Sequence, residues 1–190
     1  MAYDRSFITD IASYTESLLA PLGNRWLHVQ EVAVKATTIS VLFDLDDGTQ
    51  LVAAAYLHDI GYAPACKQTE FHPLDGASHV RSLGYPRLAS LVAYHSEAIF
   101  EARIRGLEPA LQAFVCEHSA VADALTYCDQ TTGPTGTTVT YEERIAEVVH
   151  RYGETHPVAQ ALEQARPSLS RAVTRTIHRL HAAGLPPVVS

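Results

Sequence analysis

The sequence predicts an all-α protein, on three observations. Apolar residues recur at three- and four-residue spacing along most of the chain, and sustained apolar/polar alternation of the strand type is nearly absent. Prolines, glycines and acidic capping pairs fall where helices would begin and end. The 190 residues, 47% hydrophobic and 18% charged, are enough for one sizeable core with a small appendage, so a single domain over residues 1–190 is expected.

In the first segment Phe7, Ile8, Ile11, Leu18 and Leu19 keep helical spacing until Pro21 and Gly23 break it. A second helix follows through "RWLHVQEVAVKA". The acidic turn "DLDDGT" starts the third, with Asp47 and Gln50 spaced like a capping box. Asp44, Asp46 and Asp47 have the flavour of a calcium loop, but the downstream glutamate is missing, and they read as a solvated turn. The third helix runs through "LVAAAYLHDIGYAP" and ends at Gly61 and Pro64. Pro73 and Asp75 open "LDGASHVRSLG", and Pro86 opens "PRLASLVAYHSEAIFEA" as a first-turn proline. "LEPALQAFVCEHSAVADALTYCD" reads as two short helices broken near Ser119. "TTGPTGTT" is a flexible polar loop, after which Thr140 and Glu143 form a capping box ahead of "YEERIAEVVHRYG". Helices continue through "PVAQALEQA" and "SLSRAVTRTIHRLHAAG".

Composition narrows the function classes. The first twenty residues carry Asp4, Asp10 and Glu16 and lack an apolar run of signal or membrane type, so a cytoplasmic protein without a membrane partner is expected. Cys66, Cys116 and Cys128 form no Cys-x-x-Cys pair and read as free thiols. A formal charge of -7 gives no reason to expect a nucleic-acid polymer as partner, though a local basic pocket for a small anion is compatible with it.

One stretch poses a chemical question. The helix ending in His58-Asp59 is apolar, and a carboxylate at its inner end needs a partner, because an unpaired buried charge costs several kcal/mol. His28 lies in an apolar helix, His72 at a turn, His95 near a helix end and Asp129 at another. A single histidine on an apolar face is more often a hydrogen-bonded core residue. Neutral imidazoles and carboxylates gathered in one place are what zinc, iron and manganese bind. Periodicity cannot show that these residues converge.

The order His28, His58-Asp59, His72, His95, Asp129 resembles the H...HD...H...H...D signature of the HD superfamily of metal-dependent phosphohydrolases, over roughly residues 20–150. The resemblance implies an HD-domain helical bundle, with residues 151–185 as a helical C-terminal extension. It implies that His28, His58, Asp59 and Asp129 hold one divalent transition metal, and that Asp59 bridges to a second held by His72 and His95. Two ions of iron, manganese or zinc would then make a bridging hydroxide available as nucleophile for phosphoester hydrolysis, with His58 and Asp59 at the centre of the chemistry. The string "CDQTTGPTGTTVTYEERIAEVVHRYG" resembles the family's segment after the last aspartate, near the site mouth. One departure is Tyr62, where many members have lysine after HDIG.

Arg25, one turn before His28, and Lys35, seven residues beyond it, are candidates for binding phosphate, with Arg144 and Lys67 behind them. Asp75 has two readings, as a group orienting an imidazole and as the N-cap of the next helix. His79, His118, His150, His156, His178 and His181 read as surface or structural residues, and Trp26, Tyr56, Tyr62, Tyr94 and Tyr127 have two readings, as the lining of a pocket for a base or another planar group and, for most of them, as core. Nothing near Cys128 marks it as a nucleophile. Three function classes follow. The first is a phosphohydrolase acting on a small phosphoester, nucleotide or nucleotide-like. The second is an HD-type non-heme di-iron oxygenase, which shares the ligand set. The third is a metal-stabilised scaffold, disfavoured because every expected ligand is present. A homo-oligomer stays open.

Overall fold

The computed structural model describes residues 4–188, and among these the only extended pairing is an isolated bridge between Thr132 and Thr138. Helix α1 (Arg5–Leu19) starts at Asp4, whose carboxylate accepts from the Ser6 and Phe7 amides. Helices α2 (Asn24–Ile39) and α3 (Leu45–Leu57) follow. The cap of α3 is Asp44, which takes the Asp47 amide at 2.9 Å, so the expected Asp47–Gln50 box is displaced by one turn. Asp44 is the residue with extended backbone, and Asp46 and Asp47 lie inside the positive first turn, where carboxylates are also favoured.

Helix α3 forms the interior. Leu51, Val52, Ala53, Ala54, Ala55 and Leu57 are all fully buried, as befits a helix apolar on every side. Helices α1, α2, α5 (Pro86–Tyr94) and α8 (Ala120–Gln130) pack around it. Helix α4 (His72–Ser82) pairs with α5 and lies against the short 3-10 turn Ile60–Tyr62 that follows α3. Gly61 makes that approach close, since a Cβ there would lie 2.0 Å from the His72 carbonyl oxygen.

Three further boundaries differ from the sequence reading, each for a physical reason. The expected helix over "PRLASLVAYHSEAIFEA" is broken: α5 stops at Tyr94, Ser96 and Glu97 take left-handed backbone (φ 49° and 59°), and α6 (Ile99–Ile104) resumes after them. Helix α4 begins at His72 rather than at Asp75, which lies within the first turn. The last two expected helices are one, α10 (Pro157–Ala182), running through Pro167. Ala165, Leu169, Ala172, Val173, Thr176 and Leu180 are buried on both sides of the proline, and packing on α8 and α6 holds the helix together despite the lost amide. The break at Ser119 is as expected, with that hydroxyl capping α8 after the short α7 (Glu108–Leu111). The Thr140–Glu143 capping box opens α9 (Tyr141–Tyr152) as read. No helix of the described residues is long and apolar enough to cross a membrane.

Candidate metal centre

The site is built where α3 ends, with four further segments around that end. Helix α3 gives way at His58, and Asp59 adopts a bridge-region backbone (φ -103°, ψ 9°) before the 3-10 turn. Adjacent helical residues point about 100° apart, and this loss of helical geometry lets His58 and Asp59 face one place. Helix α2 contributes His28, the first turn of α4 contributes His72, the break after α5 contributes His95, and the end of α8 contributes Asp129.

These six side chains fall into two groups whose ligating atoms lie within 4.8 Å of one another, His28 with His58 and Asp129, and Asp59 with His72 and His95. Asp59 joins them. Its Oδ2 is 3.3 Å from His58 Nε2 and 3.8 Å from His28 Nε2, while Oδ1 is 3.3 Å from His72 Nε2. The His72 and His95 Nε2 atoms are 3.3 Å apart, and Asp129 Oδ1 is 3.1 Å from His28 Nε2.

The tautomers follow from the outer hydrogen bonds. His28 Nδ1 faces the Gly133 carbonyl at 3.1 Å, His58 Nδ1 faces that of Ala55 at 2.8 Å, and His95 Nδ1 faces that of Val92 at 2.6 Å. A carbonyl only accepts, so each Nδ1 carries the proton and each neutral ring presents an Nε2 lone pair to the centre. His28 and His58 Nε2 are 3.3 Å apart. Two lone pairs at that distance repel unless a cation, a proton or a metal ion, lies between them. The donor set of imidazoles and carboxylates fits a divalent transition metal.

Electrostatics agree with that donor set. Burial alone would raise the Asp59 carboxyl, but Arg25 and His58 outweigh it and hold it well below the usual carboxylate range. Asp129 is likewise held well below the usual carboxylate range against its burial, by the neighbouring His28 and His58 rings. Burial lowers His72 strongly and His95 less so, which keeps these rings neutral. For His58 burial also acts downward, but the Asp59 and Asp129 carboxylates prevail and raise it.

The centre opens on a cavity of about 120 Å³, whose lining also includes Arg25, Arg144, Arg151 and apolar residues of α10. Arg25 donates to Asp59 Oδ2 at 2.5 Å and lies 4.0 Å over the Tyr62 ring, which in turn stacks on His72 at 4.2 Å. The residue standing where many family members have lysine is thus a plate between a cation and an imidazole. Burial pushes its phenol pKa upward.

Lys35 corrects the sequence reading. It is fully buried, donates to the Thr131 carbonyl and hydroxyl, and does not line the cavity. Its spacing from His28 put it on the right helix face, but that face meets the end of α8 rather than the cavity. Both readings of Asp75 also fail. It accepts from the Gln68 and Thr69 amides and the Thr69 hydroxyl, at 3.1, 2.9 and 2.7 Å, tying down the loop before α4. Lys67 is exposed. The loop read as flexible is held by Gly133 and Thr137, amide to carbonyl at 2.7 Å, and it supplies the Gly133 carbonyl to His28. Trp26 pairs with Tyr56 at a ring distance of 6.5 Å, Tyr94 donates to Leu111, and Tyr127 accepts from the Val188 amide, so none of these is at the cavity. Cys128 is buried and its thiol is pushed up by that burial, which removes it as a nucleophile.

Two site residues went unread. Ser96 donates to Asp129 Oδ2, and its left-handed backbone carries no sequence signal. Gln130 donates from Nε2 to the same oxygen at 3.2 Å. A second polar residue beside Asp129, at the end of an apolar helix, was the available clue.

Fold and site define a helical protein with a buried histidine–aspartate cluster able to hold divalent metal. The family model described as HD domain matches residues 25–128, more than half of the chain, so the chain belongs to the HD domain family, a superfamily of metal-dependent phosphohydrolases. No curated protein and no solved structure matches it.

Proposed function

We propose that the protein is a phosphohydrolase that cleaves a small phosphoester, nucleotide or nucleotide-like, at a centre of two metal ions. The carrying observation is Asp59, which turns one carboxylate oxygen toward His28 and His58 and the other toward His72. His28, His58 and Asp129 would hold one ion, His72 and His95 the other, and Asp59 both. Two divalent ions bound there supply an acidified water at neutral pH and charge neutralisation for the phosphoryl oxygens.

The chain's own residues do the rest. Asp59 and Asp129 stay ionised, and the Nδ1 hydrogen bonds hold three imidazoles with their lone pairs inward. Arg25, beside Asp59, and Arg144 both line the cavity and can take phosphoryl oxygens there. Stacking on Tyr62 fixes the guanidinium of Arg25, so less side-chain freedom is lost when the anion arrives. A cavity of about 120 Å³ holds roughly ten water-sized groups, which favours a diffusible substrate over a polymer.

The test is purification without oxygen, metal quantification, and a phosphoester panel with added manganese or iron. Release of phosphate, abolished together with metal content in Asp59→Ala, is the expected result. Oxygen uptake with no phosphate from any member would replace this reading with the oxygenase.

A further inference from the structure

Next to the metal centre lies a second cavity, of about 430 Å³, bounded by α5, α8, α10 and residues 116–119. His95 and Glu97 belong to the walls of both cavities, so the two share the turn that carries His95. Ser90 and Thr126 line the second cavity, are 7% and 6% exposed, and have no hydrogen-bond partner among the described residues. A helical hydroxyl commonly donates to a carbonyl of the preceding turn, as Thr15 and Thr176 do in this chain. A buried hydroxyl without that bond is costly. Neither of these two oxygens is sealed off, since the unpartnered buried side-chain atoms closed to solvent belong to Gln50, Gln130 and Arg144.

The charges around the cavity select the sign of its ligand. Asp123 accepts from Arg175 Nε at 2.7 Å and Nη2 at 2.5 Å, and from Arg179 Nη1 at 3.0 Å. One carboxylate is thus shared by two guanidiniums, and Arg175 Nη1 with Arg179 Nε and Nη2 stays without a partner among the described residues. Glu117 does not offset the surplus, because Arg87 holds it at 3.0 and 2.9 Å. Glu97, the remaining carboxylate of the wall, accepts from Ser168 and lies in the field of Arg171, Arg175 and His118. Arg87, Arg171, Arg175 and Arg179 therefore stand against Glu97, Glu117 and Asp123, one cation in excess. Ser119 and Ala120 bring the start of the 11-residue helix α8 to the same wall, where the first amides lack partners within the helix and carry the positive end of its dipole.

We infer that the second cavity binds a phosphate group at a site separate from the metal centre, with the Ser90 and Thr126 hydroxyls donating to its oxygens and Arg175 and Arg179 supplying the opposing charge. Donors that come from α5, α8 and α10 suit a tetrahedral anion, whose oxygens point in several directions, better than the flat carboxylate group. The group is that of a free ion or of a phosphoester, since both present the same oxygens. The site stands on its own residues and does not depend on the phosphohydrolase reading.

The experiment is an amide NMR titration of the zinc-loaded full-length protein with inorganic phosphate and, separately, with glycerol 1-phosphate. Zinc is diamagnetic, and residue-resolved shifts keep this cavity apart from the metal centre. The Ala120 and Thr126 amides should move along one saturation curve with a Kd of its own. Ser90→Ala and Thr126→Val should each raise that Kd on the order of tenfold, leaving the response of the metal-centre residues as it was. Their phosphate-free melting temperature should hold or rise, because each removes a buried hydroxyl that has no partner. Arg179→Met should raise the Kd in the same direction. A response to both compounds supports a site for the phosphate group of an ester as well as the free ion, and a response to inorganic phosphate alone supports a site for the free ion. No saturable shift at Ala120 and Thr126 with either compound would overturn the inference. So would an unchanged Kd in the two hydroxyl variants, and a lowered melting temperature beside that unchanged Kd would assign the hydroxyls a purely structural role. Where one variant does not fold, the other and the wild-type titration decide.

Discussion

Arg25 and Asp59 form a close ion pair, Nη1 to Oδ2 at 2.5 Å, with the carboxylate 3% exposed and the guanidinium 21% exposed. In the absence of metal this arginine is the main positive charge compensating Asp59, since His72 is held neutral.

Arg25→Met should therefore destabilise the metal-free protein by about 1–3 kcal/mol, less than a fully buried broken pair costs because the guanidinium is partly solvated. Added manganese should restore most of that loss, because a bound cation replaces the missing charge at Asp59. Chemical denaturation with chelator and with metal checks this. An equal loss under both conditions would mean that Arg25 acts through packing rather than charge.

Gly61→Ala should cost about 1–3 kcal/mol or more, since its Cβ would meet backbone at both the His72 carbonyl, 2.0 Å away, and the Gly76 amide nitrogen, 2.7 Å away. Backbone cannot swing aside as a side chain can. The relief available is a shift of α4, which carries His72, so metal content should fall along with the melting temperature. A variant of normal stability and metal content would show that α4 tolerates displacement.

Lys35→Met should lower stability while leaving the KM of the folded enzyme unchanged, because the ammonium serves the end of α8 and not the cavity. The Thr131 carbonyl loses its charged donor, at a cost of about 1–3 kcal/mol, partly offset because a charge is no longer buried. A raised KM with normal stability would return Lys35 to the substrate-binding role that the sequence reading gave it.

Helix starts were legible where one residue alone had cap chemistry. Thr140 with Glu143 is such a case. The start of α3 was misplaced because Asp44, Asp46 and Asp47 are all competent caps, and only the backbone of Asp44 decides among them. Pro167 marked a break that burial on both sides of it overrides. The left-handed turn at Ser96 and Glu97 left no glycine or asparagine to announce it, yet it carries His95 and brings Ser96 onto Asp129. The histidines and aspartates were legible only as a set, through their resemblance to a family. What lay beyond reach was the direction of each flank: Arg25 and Lys35 bracket His28 on one helix, and one reaches the cavity while the other reaches Thr131.

The central claim is that two metal ions share Asp59, and metal stoichiometry tests it most directly. Wild-type protein purified without oxygen should carry about two equivalents of divalent transition metal per chain. His72→Ala and His95→Ala should each fall toward about one while remaining folded and monodisperse, because His28, His58, Asp59 and Asp129 still stand around the first position. His28→Ala and Asp129→Ala should disturb that first position instead. Unchanged stoichiometry in folded His72→Ala and His95→Ala, with only their stability reduced, would show that the two rings are hydrogen-bonded core residues and would contradict the two-metal account.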